Sequence, residues 1–274
     1  MGDASARYLW RDDDDNATTA ISTPGSVAFA YAGIAGPLGE FARTIDLGPE
    51  VLPGSALTDP EWLAERVADT GRRWDHNDRR VNGTLWWYSA SSSLVAAPLT
   101  MLLTAGVAPD PRPDRLTISL QPNGYLRAAR SARLLGSAGM AGAGMAGVDM
   151  AGAVAAFADA LIIAHSEVIS ALAEVSGAAP RALWAIASDS IGNRALEAGR
   201  AVGAPDRGVE LARAVCTAPL LPPRYIYVEG PERSRTFVRR SSCCLIYVAT
   251  VGDKCVSCPR RTPADRHEQL LLRT

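Results

Sequence analysis

The chain has 274 residues, 47% hydrophobic and 21% charged, with a formal net charge of −1. A chain of this length buries a core without staples, so a wholly disordered protein and a disulfide-packed miniprotein are both excluded, as is a strongly basic nucleic-acid binder. Five cysteines are present, none in the first 215 residues and four in the last 32.

The N-terminus runs from Met1 into the acidic stretch Asp12 to Asp15. It lacks the basic start and apolar run of a secretory signal, and the acidic run reads as a solvated terminus. The two most apolar stretches, 93–107 and 151–164, are interrupted by Pro98 and Thr104 and by Asp159, so no membrane-spanning segment is predicted and the expected location is cytoplasmic. Residues 1–57 have no clear period, and their short elements cannot be placed.

A helix is predicted to start at Thr58-Asp59-Pro60-Glu61, with a capping side chain, proline in the first turn and an early acid. Trp62, Leu63 and Val67 face inward, and Gly71 is expected to stop it. Asn82 to Thr104 reads as a buried helical stretch carrying Leu85, Trp86, Tyr88, Leu94 and Leu102, kinked or split at Pro98. The aromatic run Trp86-Trp87-Tyr88 reads as core, while Asp75 and His76 fall in a polar, exposed stretch. Leu116 to Leu120, then Pro122-Asn123-Gly124, then Tyr125-Leu126, predict a β-hairpin with a short return.

Residues 136–152 repeat Met-Ala-Gly every five residues, a period of neither helix nor strand, and read as a glycine-rich loop. Val154, Phe157, Leu161, His165, Val168, Leu172 and Val175 then form one apolar stripe, ended by Gly177. His165 on this stripe is a packing histidine or a substrate-side proton donor. Further helices are expected from Pro180, and from Pro205 to Cys216, where Cys216 is a small buried side chain. Strand-like runs follow at 225–228, 236–238 and 245–248. The segment 224–274 carries ten basic and five acidic residues, a net +5, which leaves −6 on residues 1–223. The chain is therefore read as α+β, mainly α, in three parts: an unassigned 1–57, a helical body 58–223 and a C-terminal metal-binding segment 224–274.

The chemistry concentrates in Cys243, Cys244, Cys255 and Cys258, a C-C-x10-C-x2-C pattern. Adjacent cysteines have Cα atoms about 3.8 Å apart, too close for an unstrained disulfide. Four thiolates suit structural zinc, but zinc usually takes paired C-x2–4-C knuckles, and adjacent sulfurs reach one tetrahedral ion poorly. An iron–sulfur cluster spreads its irons and uses adjacent thiolates more readily. Both metals remain open on spacing alone, the cluster being favoured. Arg233, Arg235, Arg239, Arg240, Arg260 and Arg261 surround the motif and can raise a cluster potential, attract an anionic chelate or dock an acidic ferredoxin or flavodoxin. No nucleic-acid recognition motif accompanies them, and no convincing glycine-rich nucleotide fingerprint marks a flavin or nicotinamide site.

The cysteine pattern, with its lead-in Arg239-Arg240-Ser241-Ser242 and the trailing Pro259, resembles the motif of the ferric siderophore reductase family. Weaker similarity lies in Asn82-Gly83-Thr84-Leu85, Pro98-Leu99, the hairpin, His165 and Pro180-Arg181-Ala182-Leu183-Trp184. After Trp184 the family often has Gly-Asn, where this chain has Ala185-Ile186, so no role passes from that asparagine, and Asn193 is no obvious replacement. The resemblance implies a [2Fe-2S] cluster on the four cysteines and one-electron reduction of a ferric siderophore in the cytoplasm. Arg239, Arg240, Arg260, Arg261 and His165 are then candidates for substrate or partner contacts, and the electron donor is a separate protein or a small reductant. Two other classes stay open: a zinc-stabilised binding or regulatory protein, and a cluster protein used for sensing or electron relay.

Overall fold

The computed structural model describes residues 26–135, 149–231, 233–250 and 252–274. They form an α+β architecture that is mainly α. The elements are α1 (Val27–Leu38), β1 (Leu52–Pro53), α2 (Pro60–Trp74), α3 (Arg79–Ala105), β2 (Leu116–Leu120), β3 (Leu126–Ser131), α4 (Met150–Ser176), α5 (Pro180–Ala201), α6 (Pro205–Val215), β4 (Tyr225–Glu229), β5 (Ser234–Val238), α7 (Ile246–Ala249) and α8 (Pro263–Leu271). Short 3₁₀ turns at Gly39–Ile45, Gly54–Thr58 and Pro113–Arg115 join them.

Helix α2 begins as its sequence dictates: the Asp59 carboxylate accepts from Glu61 N and Trp62 N at 2.8 and 3.0 Å. It does not stop at Gly71. It continues to Trp74 and ends on Asp75 in the left-handed conformation (φ 49°). Gly71 is needed for space instead, because a Cβ there would meet the Asn82 side chain at 2.7 Å.

Helix α3 is continuous through Pro98, where a split was possible. Proline removes one helical hydrogen bond, and packing of Val95, Leu99, Met101 and Leu102 on both sides of it holds the axis together. Trp86 and Trp87 are fully buried as expected, but Tyr88 is 37% exposed and faces the cysteine segment. The stripe on α4 is buried from Phe157 to Leu172, and Gly177 (φ 73°) caps the helix. By length and composition alone α4 could cross a membrane, contrary to the sequence expectation; half of its most apolar window is buried in this body. That face packs on α2, α3, α5 and α6, as a core helix does.

Helices α5 and α6 approach closely enough that a Cβ on Gly208 would run into the backbone of Ala195. The hairpin forms with Gly124 (φ 78°) in its turn. Its return strand is longer than the expected pair of residues, reaching Ser131, and β1 adds a third strand at Leu52↔Ile118. The first 57 residues thus supply α1, a 3₁₀ turn, an edge strand and most of a second 3₁₀ turn from residue 26 onward. The Met-Ala-Gly repeats up to residue 148 and the acidic N-terminal run lie outside the described residues.

In the C-terminal segment β4 and β5 pair antiparallel from Tyr225↔Val238 to Glu229↔Ser234. The third strand-like run is not a strand: residues 246–249 form the single-turn helix α7. Within and beside it, Ala249, Leu245 and Ile246 pack with Val81, Leu85 and Trp74 of the body, a contact that one helical turn makes and an isolated strand would not.

Candidate metal centre

The four cysteines converge as two pairs. Cys243 Sγ and Cys258 Sγ are 3.9 Å apart. Two sulfurs bound to one tetrahedral ion at about 2.3 Å sit roughly 3.8 Å apart, so this pair already has the separation of two ligands on one metal. Cys244 and Cys255 interact side chain to side chain as the second pair. Each pair takes one member from the adjacent cysteines and one from the Cys255-x2-Cys258 turn, and each combines a buried with a half-buried side chain. Among the described residues, no three or more His, Cys, Asp or Glu side chains gather around a single point. Cys243 and Cys244 face different partners, Cys258 and Cys255.

Local backbone serves the same sulfurs. Leu245 is left-handed (φ 64°) and is followed by the right-handed turn of α7. A left-handed residue before a helical one turns successive N–H groups to one side, forming an anion-binding nest. Here Leu245 N–H donates to Cys243 and Ile246 N–H to Cys244. A non-glycine residue in this conformation costs on the order of 1–2 kcal/mol.

A buried cation lies beside the thiols. Arg240, 2% exposed, donates from Nη1 to Cys255 Sγ at 3.4 Å, and its guanidinium lies over the Tyr88 ring at 4.6 Å. Asp189 of α5 provides its counter-charge, with 3.6 Å between Arg240 Nε and Asp189 Oδ2. Asp189 also accepts from Ser241 N at 2.8 Å, from Ser242 N at 2.9 Å and from Ser242 Oγ at 2.5 Å. The lead-in to Cys243 is thereby pinned to the helical body. Arg240 Nε and Nη2 remain without hydrogen-bond partners although buried. Such donors are costly to bury unless a negative group completes them.

The thiol protons respond to these neighbours. The Cys255 hydrogen bond, helped by Arg240 against the cost of burial, pushes Cys244 down to about 5. Cys255 is correspondingly raised as the donor of that bond and by burial. Burial and the neighbouring Cys258 and Cys244 push Cys243 up. Burial, then Asp189, pushes the isolated Cys216 up to about 12, which makes it inert.

The arginines divide by role. Arg261 was a candidate contact residue, but it is spent on the loop. Nε donates to Cys255 O at 3.0 Å, Nη2 to Lys254 O, and Nη1 pairs with Asp265 at 2.9 Å. Arg266, absent from the sequence reading, is buried and donates to Cys258 O at 3.3 Å and Arg261 O at 3.2 Å. Arg239 and Arg260 are exposed. Arg233 and Arg235 bind the carbonyls of Thr274 and Arg273 rather than surrounding the cysteines. His165 is in the core, edge-on to Trp87 at 5.2 Å and tilted over Trp184 at 6.3 Å. It lines an enclosed cavity of about 20 Å³ that shares no residue with the cysteine site.

An open groove of about 420 Å³ reaches Cys244 and Cys255. It lies between the 3₁₀ turn carrying Arg43, the last turn of α2 with Arg73 and Trp74, Tyr88 of α3, and the hairpin residue Tyr125. Sequence reasoning missed Asp189, Tyr88 and this groove. One signal for Asp189 was available: it is the lone acid within the apolar run from Leu183 to Ile191. The groove had none, because six separated stretches of chain build it.

Compared with protein-family models the chain matches none, and no curated protein matches it.

Proposed function

We propose that the chain holds a [2Fe-2S] cluster on Cys243, Cys244, Cys255 and Cys258 and reduces ferric siderophores in the cytoplasm. The observation that carries this reading is the division of four thiols into two pairs beside a buried arginine with unfilled donors. The donor set fits the group: four thiolates around two irons make a net anion, and Arg240 together with the Leu245 and Ile246 N–H groups supplies the positive field it requires. When bound, the cluster supplies a one-electron carrier.

The chain's own residues do the rest. Arg240 and the two N–H groups favour added negative charge, which raises the tendency to accept an electron. Asp189, Ser241 and Ser242 fix the position of the adjacent Cys243 and Cys244, while Arg261 and Arg266 fix Cys255 and Cys258 through the loop carbonyls. The groove brings a chelate against Cys244 and Cys255. One electron converts the substrate Fe3+ to Fe2+, which a hard oxygen chelator holds far less well, and iron is released. The electron is restored by a separate donor protein or a small reductant, and the exposed Arg239 and Arg260 are candidates for docking an acidic donor.

The test is a single-turnover reaction. Dithionite-reduced protein, freed of reductant, is mixed without oxygen with a ferric siderophore and a ferrous-specific dye. One equivalent of Fe2+ per chain, formed as the protein's visible spectrum returns to the oxidised form, supports the proposal. An unchanged spectrum with hydroxamate, carboxylate and catecholate chelates alike refutes reduction and favours the sensing or relay class.

A further inference from the structure

The groove carries a charge that says what fits it. Arg43 and Arg73 line it, and among the described residues no carboxylate does. Among the described residues neither arginine is in an ion pair. Arg73 is also held in place: its guanidinium lies 5.5 Å from the Trp74 ring and 5.3 Å from the Tyr125 ring. Those two rings are locked to each other by the Trp74 Nε1–H donating to Tyr125 Oη at 3.0 Å. A stacked guanidinium keeps its fork of N–H groups free along its edge, and that fork matches a carboxylate in shape and charge. Gln121 and Asn123 of the hairpin turn add neutral polar groups to the same wall. The volume of about 420 Å³ lies within the ordinary range of a small-molecule site.

We propose that this groove selects a net-anionic, carboxylate-bearing ferric chelate, with Arg43 and Arg73 as its specificity-determining residues. The proposal rests on the reductase reading for the chelate's presence, and on the groove alone for its charge. Arg43 and Arg73 offer a neutral chelate no ion pair and repel a cationic one. The bound anion lies against Cys244 and Cys255, so charge selection and electron delivery occur at one place.

Binding is tested apart from reduction by using gallium(III), which fills the iron site of a chelator and does not accept an electron. The full-length protein is titrated, with quenching of tryptophan fluorescence as the readout. One probe is the gallium complex of a citrate-based dihydroxamate with free carboxylates; the other is that of a neutral cyclic trihydroxamate. The anionic complex should bind at least about tenfold more tightly, and its affinity should fall with added salt. Arg43→Glu and Arg73→Glu, both at exposed positions, should each weaken it by about fivefold to tenfold and leave the neutral complex within about twofold. Equal or tighter binding of the neutral complex overturns the proposal, as does anionic binding indifferent to salt and to both substitutions. Either result leaves ferric reduction intact. If neither gallium complex binds and the reduced protein reoxidises with no ferric chelate, the reductase reading falls with it.

Discussion

Arg240→Met is the substitution that bears most directly on how the site is held. Arg240 is buried, and its charge is balanced by Asp189 at 3.6 Å. Removing one member of a buried ion pair costs about 3–5 kcal/mol, because the other charge stays buried without a partner. Asp189 keeps its bonds from Ser241 and Ser242, so the cost falls at the low end, about 3 kcal/mol. Burial already raises the Asp189 pKa against the hydrogen bonds and Arg240 that lower it. A carboxyl raised on folding removes stability as pH climbs from its unfolded value through its folded value. Deleting Arg240 raises it further, so the loss should be larger at pH 8 than at pH 5. Asp189→Asn removes the unpaired charge, and the double variant should be less destabilised than the sum of the singles by about 1–3 kcal/mol. Urea unfolding of the anaerobically prepared protein at the two pH values measures all of this. Additive effects, within about 0.5 kcal/mol, would show that the pair is not coupled and that the lead-in is held by something else.

Three further outcomes follow from the same geometry. Burial of His165 pushes it down to about 4; its neutral form is favoured on folding, so stability is full above about pH 6.5 and falls by roughly 3 kcal/mol as pH drops toward 4. His165→Phe should flatten that part of the stability–pH curve, and an unaltered slope would place the titrating group elsewhere. Cys255→Ser should abolish the visible spectrum while Cys216→Ser leaves it unchanged; a spectrum surviving Cys255→Ser would mean the ligand set is wrong. Gly208→Ala forces α5 and α6 apart and should cost about 1–3 kcal/mol by thermal unfolding without altering metal content; a neutral result would show that the crossing relaxes.

Much of this was legible in the sequence because local rules governed it. The Asp59 cap, the stripe from Phe157 to Leu172, the Gly177 stop and the hairpin at Gly124 each obey a pattern set within a few residues. Where tertiary contacts overrode local preference the reading failed. Residues 245–248 have strand-like composition, yet Leu245 is left-handed and 246–249 form a helical turn that packs on Val81, Leu85 and Trp74. Of the two outcomes expected at Pro98, a kink or a split, the split did not occur, and α3 runs on with buried residues on both sides. At the site, the cysteines announced themselves by spacing, but which thiol pairs with which is a property of the folded loop. The arginines show the same limit: proximity in sequence grouped six of them, and the fold gave Arg240 to the thiols, Arg261 to the loop backbone and Arg233 to the chain end.

The claim that two pairs of thiols hold two irons is met most directly by elemental analysis of protein purified without oxygen, together with its visible spectrum. The account predicts about two iron and about two acid-labile sulfide per chain, with negligible zinc and a brown, dithionite-bleachable chromophore. One zinc per chain, no sulfide and a colourless protein would contradict it.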